Sequence, residues 1–367
     1  MKNVTPRGTF WRVMYAIGQL IDGRYEIQAA FAPSGQGDVY QVLDHHENDV
    51  YVLKLLNPNI IVGSMWQEAQ ILRHLRDDHI LEIRNAAITL GRPYIVTALA
   101  AHGTLETVLA ATGDAGVQVD DVVTWMRQAT LGVARAHDAS LVHNDLKPGN
   151  LFLSANRDCL VGDFGHASLI PVGQVSVAPR GATPETIAPE VASTWGTTAP
   201  SASIVSDVYS LGATAFWLLT TRPPVDFTGI PQTARMSVAA ANQAPRLRDL
   251  APHVPQSVAR AVEKAIARDP ADRFATVGEF GTALGSRPAP LRRWTRTNEH
   301  AGHIGCWRGE RIGASTYVLC VAAGVKAGSC TITTRHLTSN ARVANGTRAC
   351  SARNWPQAVR AVIQSVS

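Results

Sequence analysis

The sequence predicts an α+β protein with a small β-rich lobe, a larger helical lobe and a small α+β domain at the carboxyl end. Three observations support this prediction. Residues 25–99 contain short β-branched runs in which apolar and polar side chains alternate, as is typical of strands. From Thr104 onward the apolar spacing becomes helical. Two prolines in residues 286–290 end the helical pattern, and the composition changes beyond them.

Charge and cysteine content divide the chain at the same place. The 367 residues carry a net charge of +5. Residues 287–367 contain 11 Arg and one Lys against two Glu, a net charge of +10, so the remainder carries −5. Four of the five cysteines also lie in this last segment. We therefore predict a leader over 1–21, a main domain over 22–285, a linker over 286–293 and a small basic domain over 294–367.

Composition excludes several classes of protein. Hydrophobic residues make up 46% of the chain and charged residues 17%, which suits a folded core and not a disordered chain. No apolar run approaches the about 20 residues that a membrane-spanning helix requires. Residues 1–8 lack the apolar stretch of a secretory signal. We expect a cytoplasmic protein with no membrane partner.

Periodicity places the individual elements. The predicted strands of the first lobe are 25–30, 39–44, 51–56, 80–89 and 93–99, with a helix over 65–76. The predicted helices of the second lobe are 120–138, 203–219, 255–268 and 276–284, with short strands at 151–153 and 159–161. Asp120 or Asp121 is the expected N-cap of the longest helix, because short polar side chains favour that position.

Four motifs follow one another within this layout. They are HNDLKPGN at 143–150, DFG at 163–165, APE at 188–190 and DVYSLG at 207–212. In this order they resemble the protein-kinase superfamily, specifically the eukaryotic-like Ser/Thr kinases of bacteria. The resemblance covers roughly residues 20–285 and implies the two-lobed protein-kinase fold.

The resemblance implies a role for each polar residue of the central motifs. Asp145 matches the carboxylate that orients the substrate hydroxyl and accepts its proton, and Lys147 offsets charge on the transferred γ-phosphate. Asn150 and Asp163 match the ligands of Mg²⁺, a cation that prefers oxygen ligands. The implied cofactors are ATP and Mg²⁺, with Mn²⁺ as a substitute cation, and the implied partner is a protein substrate with Ser or Thr hydroxyls.

The same resemblance assigns the nucleotide site. Lys54 matches the lysine that holds the α- and β-phosphates, and Glu68 matches the glutamate that pairs with it. Thr97 falls at the gatekeeper position, followed by a hinge from Ala98 to Ala100. The other ATP-binding residues implied are Ala32, Ser34, Gly35, Gly37, Val39, Val52 and Phe152.

Two departures from the family pattern bear on activity. The glycine loop reads APSGQGDV at 32–39, so Ala32 and Ser34 replace the first two glycines and only Gly37 keeps its position. Small residues still permit a backbone cradle, while Pro33 removes one N–H donor. Asn144 stands where many family members carry Arg, so the usual charge latch for a phosphorylated activation loop is missing.

Several motif residues are interpreted as scaffold. By resemblance, Thr183 hydrogen-bonds the catalytic Asp and Lys, Glu190 pairs with Arg273, and Asp207 anchors the catalytic-loop backbone. Three more residues, Leu72, His143 and Phe164, match an apolar column that aligns the lobes.

The basic segment 294–367 resembles no family that we can name. Strands are predicted over 317–322 and 330–334, a tight turn at Asn345-Gly346 and a helix from Pro356 with one apolar face. The cysteines Cys306, Cys320, Cys330 and Cys350 contain no Cys-x-x-Cys pair, so buried strand thiols are favoured over zinc. The positive charge favours docking to an acidic protein partner; nucleic acid or the acidic body of the chain itself are the alternatives.

Two functional hypotheses follow. The first is an active Ser/Thr protein kinase that uses ATP and Mg²⁺ and also phosphorylates itself. The alternative is a pseudokinase scaffold that binds partners or nucleic acid through the basic domain. The first is favoured by an intact set of six residues: Lys54, Glu68, Asp145, Lys147, Asn150 and Asp163.

Overall fold

The computed structural model describes residues 15–31, 37–57, 75, 77–241, 243–286, 291–297 and 300–366. The chain divides into two compact units. The first holds residues up to 76 and 81–99, and the second holds residues 77–80 and everything from Ala100 onward. The division after Leu99 falls inside the predicted hinge.

The first unit is a six-stranded antiparallel sheet with the strand order β1-β2-β3-β4-β6-β5. It begins within the segment predicted as a leader, because Ile21 is buried in the core of the sheet. The predicted helix over 65–76 lies, apart from Leu75, outside the described residues. The strands are β1 (Leu20–Ile21), β2 (Tyr25–Ala30), β3 (Gly37–Asp44), β4 (Asp49–Leu56), β5 (Ile83–Thr89) and β6 (Arg92–Ala98).

Alternation along the strands gives this sheet two different faces. One face is the core, with buried side chains that include Tyr40, Leu53 and Val96. The other face carries half-buried residues of the same strands. Val39, Val52, Lys54 and Thr97, which the resemblance assigns to the nucleotide site, all lie on this second face.

The helical part of the second unit follows the predicted order. Its helices are α1 (Leu105–Thr112), α2 (Val119–Asp138), α3 (Pro189–Ser193), α4 (Ile204–Thr220), α5 (Arg235–Ala240), α6 (Leu247–Leu250), α7 (Gln256–Ala265) and α8 (Val277–Gly285). Short strands also pair here: β7 (Leu141–Val142) with β10 (Ser168–Leu169), and β8 (Leu151–Leu153) with β9 (Cys159–Val161). This region and the sheet of the first unit form the predicted kinase fold.

The predicted N-cap of α2 is wrong. The cap is Gln118, which makes no side-chain hydrogen bond to the helix, and Asp120 and Asp121 lie in the first turn. Carboxylates in the first turn interact favourably with the helix dipole, so the same residues support the helix without capping it. By contrast, Ser203 caps α4 through a reciprocal hydrogen-bond pair with Ser206.

The carboxyl-terminal part is a five-stranded antiparallel meander with one helix. The strands run in the order β11-β12-β13-β14-β15, and helix α9 (Trp355–Val366) contributes Val359 and Val362 to the core. They are β11 (Arg293–Thr297), β12 (Gly305–Glu310), β13 (Tyr317–Ala323), β14 (Ser329–His336) and β15 (Arg342–Ser351). The strands β13 and β14 were predicted, whereas β11, β12 and β15 were not.

The predicted turn at Asn345-Gly346 is also wrong. Both residues lie inside β15, where Asn345 has a φ of 59° and the register with β14 shifts between Thr333 and Arg335. The bulge at residues 343–346 interrupts the pairing of β15 with β14, and the pairing resumes on both sides of it.

The meander contacts the helical lobe within the same unit. The indole N–H of Trp307 donates to Nδ1 of His253 at 3.1 Å, and both side chains are buried. Arg293 forms an ion pair with Asp120, and Arg360 with Asp249, each at 3.2 Å. Part of the basic charge of the carboxyl-terminal part therefore faces acidic groups of this chain. Contact with the acidic body of the chain was one of the three alternatives that the sequence left open for this charge.

Acid is expected to weaken this contact through His253. Burial, followed by the charge of Arg296, lowers the pKa of His253 to about 3, whereas an unfolded histidine has a pKa of about 6.5. The unfolded chain therefore binds an extra proton between these values. The stability from this group is fully present above about pH 6.5 and falls by about 1.4 kcal/mol per pH unit toward pH 3.

Thermal melting between pH 7 and pH 4 tests this prediction. The variant His253→Asn keeps a side-chain acceptor for Trp307 but cannot titrate in this range. We expect wild type to lose more of its melting temperature on acidification than the variant does, and equal losses would contradict the assignment.

No helix in the described part of the chain combines the length and apolar character needed to cross a bilayer.

Candidate active site

The carboxylate of Asp145 is fixed by three donors. Thr183 donates its hydroxyl to Oδ1 at 2.6 Å, Lys147 donates its ammonium to Oδ2 at 2.8 Å, and the Asn150 amide donates to Oδ2 at 3.1 Å. Lys147 also donates to the hydroxyl of Thr183 at 2.9 Å. Asp145 is buried, whereas the Lys147 side chain is 31% exposed. A buried carboxylate with charge-assisted hydrogen bonds is held in one orientation.

Asp207, at the start of α4, anchors the loop that carries this carboxylate. Its two oxygens accept the backbone N–H groups of His143 at 2.8 Å and Asn144 at 3.1 Å. The ring of His137 on α2 also contacts Oδ2 at 2.8 Å. Because Asp207 is fully buried, these partners satisfy a carboxylate that would otherwise be costly to bury. Asp207 thus holds the backbone of residues 143–144 against α4.

Asn144 ties the catalytic loop to the segment after Asp163. Its amide donates to the carbonyl oxygen of His166 at 2.8 Å and to the hydroxyl of Ser168 at 3.1 Å. The residue has a φ of 69°, a conformation that Asn tolerates better than most side chains. Asn144, a neutral side chain held by these hydrogen bonds, therefore stands where many family members carry an arginine.

The hairpin of β8 and β9 brings the two predicted metal ligands to one end. Leu151 pairs with Val161, so Asn150 lies just before the hairpin and Asp163 two residues after it, and Gly162 N–H donates to the Asn150 carbonyl at 3.0 Å. Asn150 contacts Asp145 through its amide nitrogen, at 2.7 Å from the carbonyl oxygen and 3.1 Å from Oδ2, so these contacts do not use the amide oxygen. This donor set of an amide oxygen and a carboxylate suits a hard divalent cation.

Glu190 and Arg273 form the ion pair that the resemblance implies. Two guanidinium nitrogens donate to the two carboxylate oxygens at 2.8 and 2.7 Å. Arg273 also donates to the carbonyl oxygens of Ala267 at 2.7 Å and Arg268 at 3.0 Å, and its side chain is fully buried. The rings of His143 and Phe164, two members of the predicted apolar column, are 4.6 Å apart.

In the first unit, the strand register gathers predicted nucleotide residues on the half-buried face. Val39 pairs with Lys54, and Val52 with Thr97. Directly opposite residues of antiparallel strands share a face, as do residues two apart in one strand. Val39, Val52, Lys54 and Thr97 therefore lie together.

Gly37 has a packing role that the resemblance did not suggest. It lies at the start of β3, where a Cβ would collide with the backbone carbonyl of Leu55 on β4. No larger residue fits there without a shift of the strand. The glycine is thus required by the sheet itself.

The remaining assignments divide into two groups. Ala98 ends β6, Ala100 opens the second unit and Phe152 lies half-buried at the centre of β8. The others, Ala32, Ser34, Gly35, Glu68 and Leu72, lie outside the described residues.

Comparison with known proteins identifies the family. The model of the protein kinase domain matches residues 34–279. The chain belongs to the protein kinase domain family. This kinase chain is 30% identical over 279 residues to the serine/threonine-protein kinase PknL of Mycobacterium tuberculosis, which covers 72% of this chain and 66% of PknL. It is 29% identical over 270 residues to PrkC of Bacillus subtilis, covering 72% of this chain and 40% of PrkC.

Solved structures agree on the fold. The crystal structure of the Mycobacterium tuberculosis PknI kinase domain superimposes with a TM-score of 0.56 at 24% identity, covering 74% of the kinase chain and 99% of that domain. The chain spans about two thirds or less of the length of PknL and PrkC.

Sequence reasoning missed one group of residues in the carboxyl-terminal part. His300, His303, Cys306 and Cys320 place one potential ligand atom each within 4.8 Å of one another. The interpretation of the cysteines as buried strand thiols holds for Cys330, which lies in the core below α9. It holds for Cys306 as well, whereas Cys320 and Cys350 are strand thiols that are only half-buried. The sequence signal for this group is the pair of histidines, three residues apart, that precedes Cys306. A search for cysteine pairs alone does not detect it.

Proposed function

We propose that this chain is a serine/threonine protein kinase that transfers the γ-phosphoryl group of ATP to Ser or Thr hydroxyls of a protein, its own chain included. The observation that carries this proposal is the Asp145 carboxylate held by Lys147, Thr183 and Asn150. Phosphoryl transfer depends mainly on positioning and on charge neutralisation, and this arrangement supplies both.

Asp145 would accept the proton of the substrate hydroxyl as the new P–O bond forms and the bond to the leaving diphosphate breaks. The hydrogen bonds from Thr183 and Lys147 orient its carboxylate toward that hydroxyl. Lys147 is partly exposed beside Asp145, so its ammonium can also neutralise charge on the transferred group. A bound cation–ATP complex supplies the electrophilic phosphoryl group.

Asn150 and Asp163 would hold the divalent cation through oxygen ligands. We propose Mg²⁺ as the physiological ion, with Mn²⁺ as a substitute of similar ligand preference. Lys54 would bind the α- and β-phosphates with Glu68 as its ion-pair partner. Val39, Val52, Thr97 and Phe152 would contact the base, and the backbone from Ala98 to Ala100 would form hydrogen bonds to it.

A pseudokinase is the less favoured reading. The eroded glycine loop and Asn144 motivate it, but Lys54, Asp145, Asn150 and Asp163 are all present. The hydrogen bonds around Asp145 are complete as well. Stabilisation of the chain by ATP that depends on Mg²⁺, combined with phosphoryl transfer, supports catalysis; ATP binding without transfer supports the scaffold.

We do not expect the activity to be controlled by phosphorylation of the segment after Asp163. In kinases with an arginine before the catalytic aspartate, the guanidinium can pair with a phosphate. Asn144 is neutral, and its amide is already bonded to His166 and Ser168.

The Thr183 hydroxyl provides a graded test of the catalytic arrangement. Thr183→Ala removes the donor to Asp145 and the acceptor for Lys147, so we expect kcat to fall by about 10–100-fold, as for the loss of a supporting hydrogen bond at a reactive site. Thr183→Ser keeps the hydroxyl and is expected to retain most of the activity. Steady-state rates on a generic Ser/Thr substrate separate the two, and equal rates for both variants would contradict the role.

We also propose that the carboxyl-terminal part docks an acidic protein partner. Its edge strand β15 carries exposed arginines at 342 and 348, and Arg353 follows it, also exposed. Reversing all three charges to Glu in the full chain should abolish salt-sensitive capture of an acidic protein. Retention of the unaltered chain on RNA or DNA at low salt, with none on acidic protein, would overturn this proposal in favour of nucleic acid.

A further inference from the structure

Four side chains with atoms suited to a soft metal ion converge on one point in the carboxyl-terminal part. They are His300 and His303, from the connection between β11 and β12, Cys306 on β12 and Cys320 on β13. None of them contributes to the candidate active site. They also stand apart from the core beneath α9, which uses other residues of the same strands.

The register of the sheet explains why the two thiols meet. Cys306 and Cys320 are directly opposite partners in the antiparallel pair of β12 and β13. Their neighbours Trp307 and Leu319 are also opposite each other and fill the core against α9. Alternation therefore turns both cysteines to the face away from α9. Pairing keeps their Cβ atoms close together.

A tight turn brings the two histidines to the same place. His303 N–H bonds to the His300 carbonyl, and Gly302 between them has a φ of 81°. A positive φ at the third residue is the requirement of a type II turn, which glycine meets without strain. Ile304 N–H then bonds to Val321 on β13 at 2.8 Å, so the turn is attached to the strand pair that carries the thiols.

Three of the six separations between the ligand atoms match a zinc tetrahedron, and all six are within 4.8 Å. Nδ1 of His300 lies 3.5 Å from the Cys306 sulfur and 3.3 Å from the Cys320 sulfur, and Nδ1 of His303 lies 3.3 Å from the Cys306 sulfur. With Zn–S near 2.3 Å and Zn–N near 2.0–2.1 Å, tetrahedral ligands are separated by roughly 3.3–3.8 Å. Three contacts therefore fall in the range that a shared ion imposes.

We propose that His300, His303, Cys306 and Cys320 form a structural zinc site. Two thiolates and two neutral imidazoles balance the charge of Zn²⁺, and this ligand set selects zinc over the hard cations of the active site. Four protein ligands complete a tetrahedron and leave no position for substrate. The ion would fasten the 300–303 turn to β12 and β13, and so stabilise a small sheet with a limited core.

Two alternatives without a metal ion, hydrogen bonding and a disulfide, each explain only part of the convergence of the four side chains. Thiol–imidazole hydrogen bonds explain a pair, but Nδ1 of His300 offers either one proton or one lone pair and contacts two sulfurs, those of Cys306 and Cys320. A cross-strand disulfide between Cys306 and Cys320 would account for both cysteines but not for the two histidines that converge on them.

Metal content of the full chain, purified without chelators, tests the proposal. We expect one zinc per chain by elemental analysis. Removal of a group that only supports a metal ligand usually lowers metal affinity by about 10–100-fold. His300→Ala and Cys320→Ser remove ligands themselves, so we expect a larger loss of zinc affinity. His300 is exposed and Cys320 half-buried, so neither change empties the core. Cys350→Ser is the matched control, since it removes a half-buried thiol of the same sheet and should keep full zinc content.

A second readout uses cobalt alone as the probe. Co²⁺ added to the chelator-stripped chain should give the visible absorption of a tetrahedral ion together with thiolate charge-transfer bands, and the latter should weaken in Cys320→Ser. Chelation should also lower the melting temperature of wild type but not of Cys320→Ser. Three results would overturn the proposal: absence of stoichiometric zinc, equal zinc in wild type and both ligand variants, or a Cys306–Cys320 disulfide in protein handled without oxygen.

Discussion

Asp145→Asn is expected to lower the rate of γ-phosphate transfer from ATP by at least about 10²–10⁴-fold. The amide cannot accept the proton of the substrate hydroxyl. It can nevertheless keep much of the local structure, because its oxygen can face Lys147 and Asn150 while its nitrogen faces the Thr183 hydroxyl, which can accept as well as donate. We therefore expect the variant to fold and to bind ATP while its phosphotransfer rate collapses.

The matched control is Asp138→Asn, which removes the carboxylate of an exposed residue at the end of α2. Its activity should equal that of wild type. Radiolabel from γ-phosphate-labelled ATP, measured on a generic Ser/Thr substrate, gives the rates, and melting curves confirm that both variants are folded. Undiminished labelling by the folded Asp145→Asn chain would remove Asp145 from the reaction.

Arg273→Ala is expected to destabilise the second unit by about 3–5 kcal/mol, the usual cost of breaking a buried ion pair from one side. The guanidinium is fully buried and makes two hydrogen bonds to Glu190 as well as bonds to carbonyl oxygens. Removing it leaves the carbonyl oxygens of Ala267 and Arg268 without this donor. For a unit of this size, the loss corresponds to a fall in melting temperature of roughly 10 °C.

Arg235→Ala provides the comparison, because Arg235 also pairs with a glutamate but is 31% exposed and makes one contact to it, at 3.0 Å from Glu185. Partly exposed ion pairs contribute about 1 kcal/mol or less. Scanning calorimetry on both variants should therefore show a much larger fall for Arg273→Ala. Similar melting temperatures for the two would mean that the Glu190 pair does not support the fold.

The kinase fold and the contacts at the centre of the candidate active site could be predicted because the relevant residues lie within short motifs. The strands 25–30, 151–153 and 159–161 have the same bounds in the structure as in the prediction. Asp145, Lys147 and Asn150 are five residues apart at most, so their loop brings them together directly. The bond from Thr183 to Asp145 spans 38 residues, and resemblance to the family predicted it where spacing could not.

The carboxyl-terminal part could be predicted less well, for two physical reasons. The turn propensity of Asn345-Gly346 is a local preference, and pairing along β15 overrides it with a bulge. The convergence of His300 and Cys320 depends on the register of β12 and β13, which is a property of the folded sheet. Likewise, nothing in the sequence around Trp307 indicates that its indole meets His253, 54 residues away.

The most direct test of the proposed activity is phosphosite mapping by mass spectrometry on the purified full chain and a generic protein substrate, incubated with ATP in the presence or absence of Mg²⁺. The account predicts new phosphate on Ser and Thr residues only when Mg²⁺ is present. A folded chain that is stabilised by ATP and Mg²⁺ but leaves every hydroxyl unmodified would contradict it.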